Sequence, residues 1–122
     1  MRSDKANLIV DLSFQFALKV IKYCELLEKE KRFVLATQLL KAGTSIGANV
    51  REAQNAESRI DFIHKNKVAA KETDETEYWL LLCKSSDGYP NCDELIIDCQ
   101  MISRILSKII STSKTKYKVE NK

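Results

Sequence analysis

With 122 residues, 44% of them hydrophobic and 30% charged, the chain is long enough to bury a core of its own and too apolar to be disordered. Three Gly and a single Pro leave too few turns for a β-sandwich or barrel. The net charge of +3 and the pI near 8.6 fall short of the pI above about 9 that marks a dedicated nucleic-acid domain.

The first predicted helix covers residues 7–28. Ile9, Leu12, Phe16, Val20, Tyr23 and Leu27 recur at three-to-four spacing, the mark of a buried stripe. Val10, Phe14, Ala17, Leu18 and Ile21 form a second apolar set on nearly the opposite side. A helix apolar on two faces needs cover on both, and a four-helix monomer covers only one. A homo-oligomer is therefore expected, with Phe14, Leu18 and Ile21 at its interface.

Residues 27–31 (LEKEK) form a polar hinge before a second predicted helix over 32–54. Gly43 and Gly47 lie inside this helix, each costing about 0.5–1 kcal/mol relative to Ala. The expected compensation is the close approach of a neighbouring helix; a loop at Gly43 is the alternative. Ser45, Asn49 and Glu52 stand at i, i+4 and i+7, in line with Leu35, Gln38 and Ala42. A polar ladder is thus written on a core heptad. Its members are expected to pair with the third helix or with backbone carbonyls and to set register and assembly. A ligand site is the competing reading.

Ser58, with Asp61 three residues on, is a good N-cap for a third helix over 58–85. Its core stripe is Phe62, Ala69, Thr73, Thr76, Leu80 and Cys83. Tyr78 and Trp79 are adjacent, so one can face the core while the other flanks an interface; Trp79 is the candidate anchor. The turn at 86–90 (SDGYP) precedes Asn91, which with Glu94 resembles a capping box for the fourth helix. Leu95, Cys99, Ile102, Leu106 and Ile109 form its stripe, broadened by Ile96, Ile105 and Ile110. The chain then divides into a bundle over residues 1–113 and a flexible basic tail over 114–122. Short connections between long helices predict an all-α, antiparallel up-down-up-down four-helix bundle.

Charge is segregated along the chain. Residues 72–98 hold Glu72, Asp74, Glu75, Glu77, Asp87, Asp93, Glu94 and Asp98 against Lys84 alone, a balance of −7. From Cys99 onward Arg104, Lys108, Lys114, Lys116, Lys118 and Lys122 face only Glu120, a balance of +5. Separated signs allow a basic face despite a small net charge. Lys19, Lys22, Lys41, Arg51, Lys65, Lys67 and Lys71 are the candidate phosphate-contacting residues, suited to salt-sensitive binding without sequence preference.

Cys24, Cys83, Cys92 and Cys99 form no C-x-x-C and match no zinc spacing. They are read as reduced, buried thiols of a cytoplasmic protein; Cys92 and Cys99, seven apart, suit a core stripe better than a redox pair. Residues 1–7 do not open a signal peptide, and no apolar run approaches a membrane span. Asp61 and His64 have the spacing of a bundle metal motif. His64 is the single histidine, however, and a di-iron bundle needs two Glu-x-x-His copies. Glu75 and Glu77, two apart, point to different helix faces. No phosphate-binding loop, nucleophile elbow or zinc-protease motif occurs. The expectation is a non-enzymatic protein without cofactor or metal.

The run over residues 36–82 carries two further blocks. One is Ser45-Ile46 with Asn49-Val50 and Glu52. The other is Phe62-Ile63-His64-Lys65 followed by Ala70-Lys71-Glu72, Glu75-Thr76 and Tyr78-Trp79-Leu80. In these blocks, and in helix layout over nearly its whole length, the chain resembles the four helix bundle protein family. That family was first described from open reading frames in intervening sequences of bacterial large-subunit ribosomal RNA genes. Gly47 stands where many members carry Pro, and Arg51-Glu52-Ala53 where many carry Ala-Glu-Gly. The resemblance implies a left-handed bundle assembling as a ring-like homopentamer. It also implies kinship with the accessory variability proteins of diversity-generating retroelements, which bind reverse transcriptase and nucleic acid. The function expected is an oligomeric adaptor binding RNA or a ribonucleoprotein partner; the alternative is a purely protein-binding scaffold.

Overall fold

The computed structural model describes residues 4–121, with side chains from residue 8 onward; residues 1–3 and 122 lie outside it. Four helices account for almost all of this length: α1 (Asp4–Lys29), α2 (Phe33–Ala53), α3 (Arg59–Ser85) and α4 (Asp93–Glu120). No strand occurs among the described residues.

Each helix packs on two neighbours, α1 and α3 both lying against α2 and α4, while the diagonal pairs stay apart. Neighbours run antiparallel. Val20 meets Gly43 and Ser13 meets Gly47 across α1 and α2. Arg59 pairs with Glu120 at one end of α3 and α4, and Cys92 reaches the Leu80 carbonyl at the other. Lys19 holds Asp98, and Tyr23 donates to the Pro90 carbonyl, across α1 and α4.

The core follows the predicted stripes. Ile9, Phe16, Val20, Tyr23 and Leu27 of α1 are buried, as are Ala69, Thr73, Thr76, Leu80 and Cys83 of α3. Leu95, Cys99, Ile102, Leu106 and Ile109 complete it from α4, and Leu12 and Phe62 are half-buried. Side chains of this size stabilise by about 1.5–3 kcal/mol each when fully buried. Three buried hydroxyls serve their own helices: Ser13 donates to the Ile9 carbonyl, Thr73 to Ala69 and Thr76 to Glu72. Asn66 is also buried, on the core face of α3, a position the apolar pattern does not mark.

Helix α2 runs unbroken through both glycines, so no loop forms at Gly43. A Cβ on Gly43 would lie 2.8 Å from Val20 Cγ1, and one on Gly47 would lie 3.4 Å from the Ser13 carbonyl oxygen. The absence of side chains is what lets α1 approach α2 here.

The polar hinge is a helix stop. Lys31 adopts φ 62°, the Arg32 amide donates to the Leu27 carbonyl and the Lys31 amide to Glu28. These two bonds with a left-handed residue between them make a Schellman motif, with Lys where Gly is usual. Arg32 then stacks 3.8 Å above the Tyr89 ring and donates to the Gly88 carbonyl, joining this hinge to the α3–α4 turn.

Two predicted boundaries need correction. Ser58 caps α3 as expected, its Oγ accepting from the Asp61 amide at 3.0 Å, but Cys92 rather than Asn91 is the α4 N-cap. Asn91 stands one residue further out and accepts from the Asp93 amide. The larger correction concerns the basic tail expected over 114–122: α4 continues to Glu120. Ser113 is buried, Tyr117 is half-buried and Glu120 pairs with Arg59 at 3.2 Å, so α3 supports the last turns. Lys122 lies outside the described residues.

Candidate nucleic-acid interface

The seven basic residues singled out from the sequence do not converge on one surface. Lys19 lies between two carboxylates of α4, Glu94 at 2.7 Å and Asp98 at 2.9 Å. Its ammonium pKa is raised well above the ordinary lysine value, first by the Asp98 hydrogen bond and then by that to Glu94. Lys65 pairs with Glu52 at 3.1 Å. Lys41 lies near Glu72, whose carboxyl is pushed up by burial and by Glu75 and pulled back by Lys41. Lys22 lines an open groove of about 460 Å³ between α1 and α4, where Lys19 and Lys29 mix with Glu25 and Glu94. Arg51 and Lys71 are exposed on α2 and α3. Phosphate contacts through Lys19 or Lys65 would first have to break an existing ion pair.

Lys67 is different. It lines a second open groove, of about 500 Å³, together with Ser107, Ile110, Ser111, Lys114, Thr115 and Lys118 of α4. No carboxylate among the described residues lines this groove. Lys67 and Lys114 are close enough that the Lys67 ammonium lowers the Lys114 pKa below the ordinary lysine value. The sequence by itself puts Lys114 and Lys118 in a flexible tail, and only the packed helices bring them into one groove with Lys67. The signal for the longer helix was the helical spacing of Leu106, Ile109, Ser113 and Tyr117, which carries α4 beyond Ser111.

The predicted polar ladder of Ser45, Asn49 and Glu52 is not a buried network. Ser45 Oγ donates to the Lys41 carbonyl at 2.7 Å, and Asn49 Nδ2 donates to the Ser45 carbonyl at 2.9 Å. Both side chains are half-buried, whereas Glu52 is exposed and bound to Lys65. The buried stripe of α2 is Ala36, Leu39, Ala42, Gly43, Ile46, Val50 and Ala53. With the glycines against α1, the ladder lies at the edge of the core, where α2 carbonyls satisfy Ser45 and Asn49 and Lys65 of α3 satisfies Glu52.

The second apolar face of α1 is exposed in the single chain. Phe14 is 57% exposed, Leu18 43% and Ile21 39%, with Leu40 of α2 at 37%. Trp79 is half-buried against the core and its Nε1 donates to Glu75, while Tyr78 packs edge-on against it and is the more exposed of the two.

All four cysteines are free and buried. Cys92 and Cys99 donate their thiol protons to the Leu80 and Thr73 carbonyls of α3. Burial pushes the Cys24 and Cys99 thiols up to about 12, so both are protonated at neutral pH. His64 is exposed, and no three His, Cys, Asp or Glu among the described residues come together as a metal site. No described helix is long and apolar enough to cross a membrane.

Comparison with known proteins agrees with this architecture. A family model described as 23S rRNA-intervening sequence protein matches residues 5–108. No curated protein matches the chain. A crystal structure of a protein of unknown function from the S23 ribosomal protein family of Bacteroides thetaiotaomicron VPI-5482 is 41% identical. It covers 88% of this chain and 98% of its own, with a TM-score of 0.82. The four-helix chain with a lysine-lined α3–α4 groove therefore belongs to the 23S rRNA-intervening sequence protein family.

Proposed function

We propose that the protein is a non-enzymatic, self-assembling adaptor that binds RNA through exposed basic helix surfaces and works in the cytoplasm. The observation that carries the RNA reading is the placement of charge along α3 and α4. Three of the acids of residues 72–98 are drawn into ion pairs at one end of the bundle, Glu94 and Asp98 with Lys19 and Asp93 with Lys84. Lys67, Lys114 and Lys118 at the other end belong to none of the ion pairs among the described residues. Uncompensated lysines are what release counterions on meeting a phosphate backbone.

Self-assembly is supported by the exposed Phe14, Leu18 and Ile21 on the outer face of α1; a homopentamer is the state that the family resemblance implies. Assembly would repeat each basic surface in every subunit and raise avidity for a long polyanion. Protonated, buried thiols suit a reducing compartment.

Titration of labelled structured RNA at two salt concentrations, with a DNA duplex as control, tests the reading. Tight RNA binding that weakens steeply with salt is expected. No binding at low salt would refute the RNA role and leave a purely protein-binding scaffold. Light scattering tests assembly separately, and a particle of 14.0 kDa at micromolar concentration would refute it.

A further inference from the structure

The α3–α4 groove gathers lysines and hydroxyls on one exposed concave surface. Three lysines from two helices line one concavity with no acid among them. Lys67 and Lys114 converge despite like charge, and the Lys114 ammonium is destabilised by that proximity. Ser107, Ser111 and Thr115, one helical turn apart on α4, line the same groove. Thr115 Oγ1 donates to the Ser111 carbonyl at 3.2 Å, whereas Ser107 and Ser111 make no side-chain hydrogen bond among the described residues. Ile110 supplies an apolar wall, which strengthens charge interactions beside it. The α1–α4 groove, by contrast, neutralises itself with Glu25 and Glu94 among its lysines.

We propose that this groove binds a phosphate group, Lys67, Lys114 and Lys118 supplying charge and the Ser107 and Ser111 hydroxyls donating to its oxygens. Ammonium-to-phosphate hydrogen bonds are charge-assisted, and an anion removes the repulsion between Lys67 and Lys114. The phosphate belongs either to an RNA backbone or to a free oligophosphate. Its assignment to RNA rests on the function proposed above, whereas the phosphate site itself does not.

The test is calorimetric titration of the full chain with inorganic pyrophosphate at low salt, beside titration of a single-stranded RNA oligonucleotide. Lys67→Gln with Lys114→Gln is compared with Lys29→Gln and Lys31→Gln, which remove the same charge at the opposite end of the bundle. Circular dichroism confirms that each variant is folded. The groove pair should lose about tenfold or more in pyrophosphate affinity, and the distant pair less than about twofold. For RNA, the groove pair should flatten the slope of log affinity against log salt by about 1.4, at about 0.7 per phosphate contact. In 15N-lysine spectra the Lys114 pKa should rise when pyrophosphate binds.

Absence of pyrophosphate binding at low salt, or equal losses in the two pairs, overturns the site. RNA binding that persists unchanged in the groove pair, with pyrophosphate binding lost, upholds the site for free oligophosphate and overturns its assignment to RNA, leaving the RNA role to other surfaces. Pyrophosphate binding that is lost in the groove pair, in a protein that binds no RNA, upholds the site, assigns it to free oligophosphate and refutes the RNA role.

Discussion

Gly43 and Gly47 are both interior residues of α2 facing α1, yet adding a methyl group to each should have opposite effects. Gly→Ala within a helix is worth about 0.5–1 kcal/mol through reduced backbone entropy in the unfolded chain. At Gly47 the new Cβ would meet Ser13 at 3.4 Å, an ordinary contact, so the gain should be kept. At Gly43 it would lie 2.8 Å and 3.0 Å from the two Val20 methyls and 3.3 Å from Val20 Cβ. Carbon atoms pack best at about 3.5–4.0 Å, so the helices would have to part by several tenths of an ångström. Rotating Val20 cannot help, because its Cβ is itself too close and its χ1 is restricted in a helix. Overpacking of this kind costs about 1–3 kcal/mol. Gly43→Ala should therefore destabilise by about 1–2 kcal/mol, while Gly47→Ala stabilises by about 0.5–1 kcal/mol. Urea unfolding followed by circular dichroism, at one fixed protein concentration, measures both. In the Val20→Ala background the 2.8 Å and 3.0 Å methyl contacts are gone and only the 3.3 Å Cβ contact is left, so most of the Gly43→Ala penalty should be lost, with a coupling of about 1 kcal/mol. A Gly43→Ala protein as stable as Gly47→Ala would refute the close approach of α1 to α2.

Four further outcomes are expected. Lys31→Gly should stabilise by about 0.5–1 kcal/mol in the same unfolding assay, because Lys31 holds φ 62° at the end of α1; a loss would exclude the Schellman geometry. Asn66→Leu should be neutral or stabilising by up to about 1 kcal/mol, since the buried Oδ1 has no partner among the described residues; a loss above about 2 kcal/mol would show that it has one. A thiol reagent at mildly alkaline pH should find none of the four cysteines in the native protein and all four in denaturant; fast native labelling would contradict their burial. The carboxyls of Glu94 and Asp93 are held below their ordinary values by hydrogen bonds from Lys19 and Lys84. Their contribution is full above pH 4.5 and is lost as pH falls through the lowered folded values, an effect that Glu72, shifted upward, partly opposes. Lys19→Gln should make the acid limb of the stability curve shallower, and an unchanged limb would show that the Lys19 bridge is absent in solution.

Much of the molecule is determined by residue order alone, because helix period and burial are local properties read along one element. Ile9, Phe16, Val20, Tyr23 and Leu27 mark the buried face of α1 whatever they pack against, and the same holds for Leu95 through Ile109 in α4. The turn at 86–90, the Ser58 cap and the unpartnered Phe14, Leu18 and Ile21 are equally local. Tertiary structure decided what depends on how one helix is rotated and shifted against another. The α1–α2 contact at the glycines moved Ser45 and Asn49 out of the core and left them bonded to their own helix. Packing on α3 extended α4 to Glu120, where polar residues alone suggest fraying. Inter-helix register chose which lysines meet acids: Lys19 and Lys65 are neutralised, while Lys67 meets Lys114 in a groove that no acid among the described residues lines. Charge pairing acts over a few ångströms between residues tens of positions apart, so it is settled only once the helices are packed.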